Sequence, residues 1–283
     1  SSPFGTVVTV QPGLDWMTLA QLPGVQLMER AYPRARANDL TRVRIGVAEN
    51  SQTTTNYLGL TGTNVLLNIN DWGVDALHPD FTSRLFAVNP LALGDTNGHG
   101  THVAGIMAGS GLSSTNVMNA RGSINPATNL QYRGIAPMAN IFAQLATDAD
   151  GDLQENVART NAFISNNSWG YLGDSTYSLA AASYDAAVRD SLPGVPGSQP
   201  VLYVFSAGNE GGGTDAGLGG SPGSLSSPAT AKNVVSVGAG ELLRDITNQV
   251  EKVTSGVTNT TTPWQAMTSS DNQVAAFSSR GNV

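Results

Sequence analysis

Short runs of β-branched and apolar residues alternate with longer segments whose apolar positions recur at helical spacing. Residues 64–70 (NVLLNIN) predict a buried strand that delivers Asp71 at its C-terminal end. Residues 140–146, 201–206 (VLYVFS) and 233–238 (NVVSVG) predict further strands. One helix is expected to start at His99 and run through Ala108. Another is expected over 153–164, with Leu153, Val157 and Ala158 at helical spacing, and an Ala-rich one over 177–189. Strands alternating with helices make a mostly parallel sheet covered by helices, an α/β fold. In such sheets, reacting groups gather beyond the C-terminal ends of the strands. Asp71, Ser168 and Asn209 each follow an apolar strand-like run.

Three stretches predict long loops: 110–130, the Gly/Ser-rich 211–227 and the polar 243–273. Residues 1–37 differ in character from the rest. They hold a β-like run at 6–10, a helical turn near 16–22 and an Arg/Pro-rich stretch at 30–36. The main domain is expected to begin near Asn38.

The 283 residues are 40% hydrophobic, enough for a sizeable core, and only 12% charged. That charge is about half the share usual in a soluble domain. The net charge of −7, with only 14 Lys and Arg, argues against nucleic acid as a partner, since phosphate binding needs clustered cations. There is no cysteine, which excludes disulfides and thiolate metal sites. No apolar run reaches the roughly 18 residues of a membrane span, so no membrane partner is expected. The first residues, SSPFGTVVTVQPG, have neither the basic nor the apolar region of a signal peptide.

The chemistry concentrates in three places. Asp71 sits in DWGVDALHPDF. His99 sits in NGHGTHVAG, where flanking glycines let the backbone approach a neighbour. Asn209 sits in FSAGNEG, where an amide at a strand end can donate to a developing oxyanion. Taken singly, each has a plainer reading: a turn-capping Asp, a solitary His, an Asn in a left-handed turn. His99 and His102, with His78 as a third imidazole, also leave open a metal pair, although no carboxylate partner lies in that helix.

The ordered set is more specific than its parts. DTNGHGTHVAG (95–105), RGIAP (133–137), NNSWG (166–170), SAGNEG (206–211), SPATAKN (227–233) and FSSRG (277–281) together resemble the subtilisin-like serine proteases, the subtilases. The resemblance runs from about Asn38 to Val283 and is nearest to the oxidatively stable alkaline protease branch. It implies a three-layer fold, extracellular proteolysis and peptide or protein substrates. It further implies that Asp71 orients His99, that His99 is the general base and then the general acid, and that Asn209 serves the oxyanion. Ser168, Trp169 and Gly170 would offer one backbone edge to a substrate strand, and Gly151, Asp152 and Leu153 the facing edge. Ser206, Ala207 and Gly208 would line the pocket for the side chain before the scissile bond, with Glu210 at its base.

The family's nucleophile lies in a Gly-Thr-Ser-Met segment downstream of FSSRG, and this sequence contains no such segment. Gly219-Gly220-Ser221-Pro222-Gly223 fits the G-x-S-x-G pattern formally. Pro222 has no N–H to give an oxyanion, so a flexible loop is the expectation there. The chain therefore reads as a propeptide-like tail (1–37) followed by a catalytic domain (38–283) whose C-terminal part is missing. It is expected to be inactive alone and to be completed by the missing segment, for which a second chain is one source. A peptide-binding pseudoprotease is the alternative. The chemistry requires no cofactor. A structural Ca²⁺ is considered at Asp148, Asp150 and Asp152 of DADGD, which alternate like oxygen ligands; the plainer reading is a solvated acidic turn.

Overall fold

The computed structural model describes residue 21 and residues 38–49, 55–116, 129–214, 217–241, 250–254, 257–261 and 273–281. The elements expected within 1–37 lie outside the described residues, apart from residue 21.

Six parallel strands form one sheet in the order β2-β3-β1-β4-β5-β6. They are β1 (Leu66–Asp71), β2 (Leu85–Phe86), β3 (Asn140–Leu145), β4 (Ile164–Asn167), β5 (Leu202–Ser206) and β6 (Val235–Val237). The α-helices among the described residues are α1 (Asn38–Arg44), α2 (His99–Ala108), α3 (Asp150–Arg159) and α4 (Leu179–Ala187). Side chains alternate across each strand. Leu67, Ile69, Ile141 and Ala143 meet Ala104 and Ala108 of α2 on one face. Tyr203 and Phe205 meet Leu153 and Val157 of α3 and Tyr184 and Ala187 of α4 on the other. The fold is thus α/β with helices on both faces of a parallel sheet.

Several sequence expectations shift. The helix expected over 153–164 begins three residues earlier, and Ile164 belongs to β4. Asn161, at a φ of 58°, turns the chain out of the helix. Its N–H reaches Ala158 O, and that of Ala162 reaches Val157 O. The helix expected over 177–189 is α4, which starts after Ser178, whose hydroxyl accepts from Ala181 N. The stretch 243–273, expected as a loop, contains an antiparallel ribbon of β7 (Val250–Thr254) and β8 (Val257–Thr261). The Val and Thr residues there favour a pleated ribbon despite their polar surroundings.

The sheet carries a buried polar row on its α3/α4 face. Ser165 Oγ donates to Asn68 Oδ1 at 2.6 Å, Asn70 Nδ2 to Asn167 Oδ1 at 2.7 Å, and Gln144 Nε2 to Asn70 Oδ1 at 3.2 Å. Mutual hydrogen bonding offsets the desolvation of these amides. On the α2 face, the outer strands are less well covered. Ile164, Leu202, Val235 and Val237 share that face by register and are 37–49% exposed.

Candidate active site

β1 ends on Asp71, and α2 begins on His99. Asp71 is fully buried, whereas the His99 side chain is 42% exposed. His99 Nδ1 lies 2.8 Å from Asp71 Oδ1 and 3.0 Å from Oδ2. An ionised carboxylate only accepts, so Nδ1 carries the proton and Nε2 is left as the basic, accessible nitrogen. Burial pushes the Asp71 carboxyl above its ordinary value. Hydrogen bonds from His99 and from the Trp72 N–H (2.8 Å) offset only part of that.

Glycine makes this approach possible. A Cβ on Gly100 would stand 2.0 Å from Gly73 O and 3.1 Å from Asp71 Oδ1. Gly73, at a φ of 107°, would itself place a Cβ 2.0 Å from Gly94 O. Only an unsubstituted backbone lets α2 sit this close to the end of β1.

Asp95 fixes the entry to α2. Its Oδ1 accepts from Asn97 N and Gly98 N at 2.9 and 2.7 Å, and its Oδ2 from Thr101 N and Thr101 Oγ1 at 2.9 and 2.6 Å. Thr101 Oγ1 in turn accepts from Asp75 N at 3.0 Å. Sequence reasoning passed over Asp95. Its signal was an Asp in the polar run just before the helix start, the usual place for a capping carboxylate.

Asn209 lies on the exposed turn after β5, and its side-chain amide has no partner among the described residues. Gly208, at a φ of 106°, makes that turn. A Cβ there would fall 2.6 Å from Glu210 Oε2. Glu210 Oε2 accepts from Asn209 N at 2.9 Å, Ser279 Oγ at 3.2 Å and Ser226 Oγ at 3.4 Å. The carboxylate therefore pins the Asn209 turn to the 226 and 279 segments. Ser206 ends β5, and Ala207 is buried, its N–H on Val237 O at 2.9 Å.

Between these two groups, β4 leads into Ser168, Trp169 and Gly170. The Trp169 indole is buried against Phe205 and Tyr184. Tyr171 N donates to Ser227 O at 2.7 Å. Gly151, Asp152 and Leu153, expected as a facing extended edge, occupy the first turn of α3 instead. Leu153 is in the core, and its N–H is bonded to Ala149 O, so this triplet offers no strand edge.

The metal expectations find no assembled ligands. Asp150 accepts from Tyr171 Oη at 3.0 Å and Tyr184 Oη at 3.5 Å. Among the described residues, no three acidic or imidazole groups come together around an ion, Asp148, Asp150 and Asp152 included. His99 is engaged by Asp71, while His102 lines a separate cavity of about 320 Å³ with His78. His78 Nδ1 accepts from Asp80 N, which leaves its proton on Nε2 and removes that nitrogen's lone pair. Ser221 sits in a loop with Gly219 and Gly220 at positive φ, and no helix follows it among the described residues.

A buried carboxylate thus holds a partly exposed histidine at the C-terminal end of a parallel sheet. The subtilase family model matches residues 62–283, and the chain belongs to that family. It is 29% identical over 185 residues to subtilisin Savinase of Lederbergia lenta, covering 64% of this chain and 57% of that protein. It is also 29% identical over 185 residues to an alkaline protease of Shouchella clausii, covering 64% of this chain and 40% of that protein. The match thus spans about half the length of these relatives. A solved psychrophilic protease shares the fold with a TM-score of 0.51 at 21% identity, covering 90% of this chain and 68% of that one.

Proposed function

We propose that this chain is the Asp–His portion of a subtilisin-type serine endopeptidase that cleaves proteins with an Asp–His–Ser triad. The single observation that carries the reading is the buried Asp71 carboxylate 2.8 Å from His99 Nδ1. His99 Nε2 takes the proton of the serine hydroxyl as it attacks the scissile carbonyl, then returns it to the leaving amine. Asp71 holds the tautomer and stabilises the imidazolium. Asn209 donates its free amide to the tetrahedral oxyanion, the kind of donor whose removal costs on the order of 3 kcal/mol of barrier. Glu210 supports that donor by fixing its turn. Backbone pairing along 168–170 holds the substrate strand, and 206–208 lines the pocket for the residue before the cut.

The serine is supplied by sequence outside this chain, which by itself does not turn over peptides. The apolar side chains Ile164, Leu202, Val235 and Val237 at the open sheet face support a further segment covering them. Residues 1–37 are read as propeptide, the protein as secreted, and the branch as that of the oxidatively stable alkaline proteases. The triad route uses no cofactor.

The test is hydrolysis of a chromogenic peptide by this gene's product isolated from its native host. His99→Ala is expected to lower kcat by about 10⁴-fold or more. Peptide binding without turnover in the unaltered product would replace this reading with a peptide-binding protein.

A further inference from the structure

Trp72 is the residue next to Asp71, and its indole stands against the catalytic candidate. The Trp72 and His99 ring centroids are 5.8 Å apart at 83°, an edge-on contact. The Trp72 backbone is fixed by its N–H on Asp71 Oδ1 and by the turn at Gly73 that follows. The side chain nevertheless remains 48% exposed. A large aromatic surface held half in water beside a reacting group is the kind of feature that carries binding energy once it is covered.

Strand order gives the indole a direction. β4 lies between β1 and β5. The segment 168–170 therefore runs between the Asp71–Trp72 end of β1 and the Ser206–Asn209 end of β5. An extended peptide lying along 168–170 points successive side chains to opposite sides. If the residue before the scissile bond enters the pocket at β5, the residue one step upstream points toward β1, where Trp72 stands.

We infer that Trp72 is the specificity wall of the upstream subsite and selects substrates with a large apolar side chain at the second position before the cut. This rests on the peptidase reading for its register and deepens it by naming a substrate class. Apolar and aromatic side chains bury indole area. Glycine leaves it wet, and an indole face has no carboxylate or amide of its own to pair with a polar side chain.

The test is equilibrium binding of tetrapeptides with blocked termini to the full 283-residue chain, differing only at that position (Gly, Leu, Phe, Lys) and uncharged except for the Lys peptide. The readout is the ratio of dissociation constants, Gly over Leu or Phe. A ratio of about five- to tenfold is expected for the unaltered chain, the order of discrimination that a few methylenes give at a partly open wall. Trp72→Ala brings the ratio toward one, and Trp72→Phe keeps most of it. Preference for Lys over Leu, or a ratio unchanged in Trp72→Ala, overturns the inference while leaving the peptidase reading to its own hydrolysis test. Failure of every peptide to bind also overturns it, and hydrolysis by the native product then shows whether the peptidase reading falls as well.

Discussion

Gly100 lies so close to Gly73 that a β-carbon on it would stand 2.0 Å from the Gly73 carbonyl oxygen. That closeness brings the first turn of α2 down onto the end of β1 and lets His99 reach a carboxylate that water does not reach.

Gly100→Ala must therefore push α2 away from β1. The backbone carbonyl at Gly73 cannot yield as a flexible side chain would. Overpacking at such a contact is expected to cost about 2–3 kcal/mol in urea unfolding. The same variant is expected to lose the hydrogen-bonded Nδ1 proton of His99 in NMR. Retention of that proton at full stability would contradict the glycine argument.

Asp71 makes a pH-dependent contribution of defined sign. Its folded carboxyl titrates above the ordinary 3.8 because it is buried, so the folded chain binds its proton more tightly than the unfolded chain does. Its stability contribution is full below the ordinary range and is lost as pH rises through the folded value. Relative to the unaltered chain, Asp71→Asn is therefore expected to gain stability as pH rises through that window. Urea midpoints of the two chains across the acid range measure it. A relative loss with rising pH would reverse the sign and contradict the burial argument.

Asp95 behaves oppositely. Burial alone would raise its carboxyl, but hydrogen bonds from the Thr101 hydroxyl and from the Thr101, Gly98 and Asn97 N–H groups outweigh burial and lower it. Its stabilisation is present above 3.8 and is lost as pH falls through the folded value. Asp95→Ala is expected to cost roughly 1–3 kcal/mol at neutral pH, an effect that shrinks in acid. A difference independent of pH would contradict the ionised-cap account.

Arg42 anchors α1 from within. It is fully buried, donating to Arg133 O at 2.7 Å and Gln131 O at 3.0 Å, and burial together with the Arg133 charge lowers it to about 10. Arg42→Met removes both donors from buried carbonyls, and a loss of about 2–4 kcal/mol is expected in chemical unfolding. A neutral outcome would mean that α1 contributes little to the domain.

What the sequence disclosed followed from local physics. The run NVLLNIN reads as a strand because buried parallel strands are nearly continuous apolar runs, and its end on Asp71 follows directly. The start of α2 at His99 was legible from the glycine-flanked motif. The buried amide row at Asn68, Asn70, Gln144, Ser165 and Asn167 was not, because its satisfaction depends on strands brought together from 97 residues apart. The extended edge expected at Gly151–Asp152–Leu153 failed because Asp150 and Asp152 suit the first turn of a helix, where carboxylates meet its positive end. The ribbon at 250–261 was missed because its polar composition was weighted above its β-branching. Trp72 carried no sequence signal beyond its place beside Asp71. Its importance comes from the ring contact with His99.

Whether Asp71 and His99 serve a serine nucleophile is measured most directly by fluorophosphonate labelling of the native-host gene product. The labelled polypeptide should contain tryptic peptides of this chain, bear the label on a serine, and lose labelling in His99→Ala. A product that contains this chain, binds peptides and takes no label, or labels equally well without His99, would contradict it.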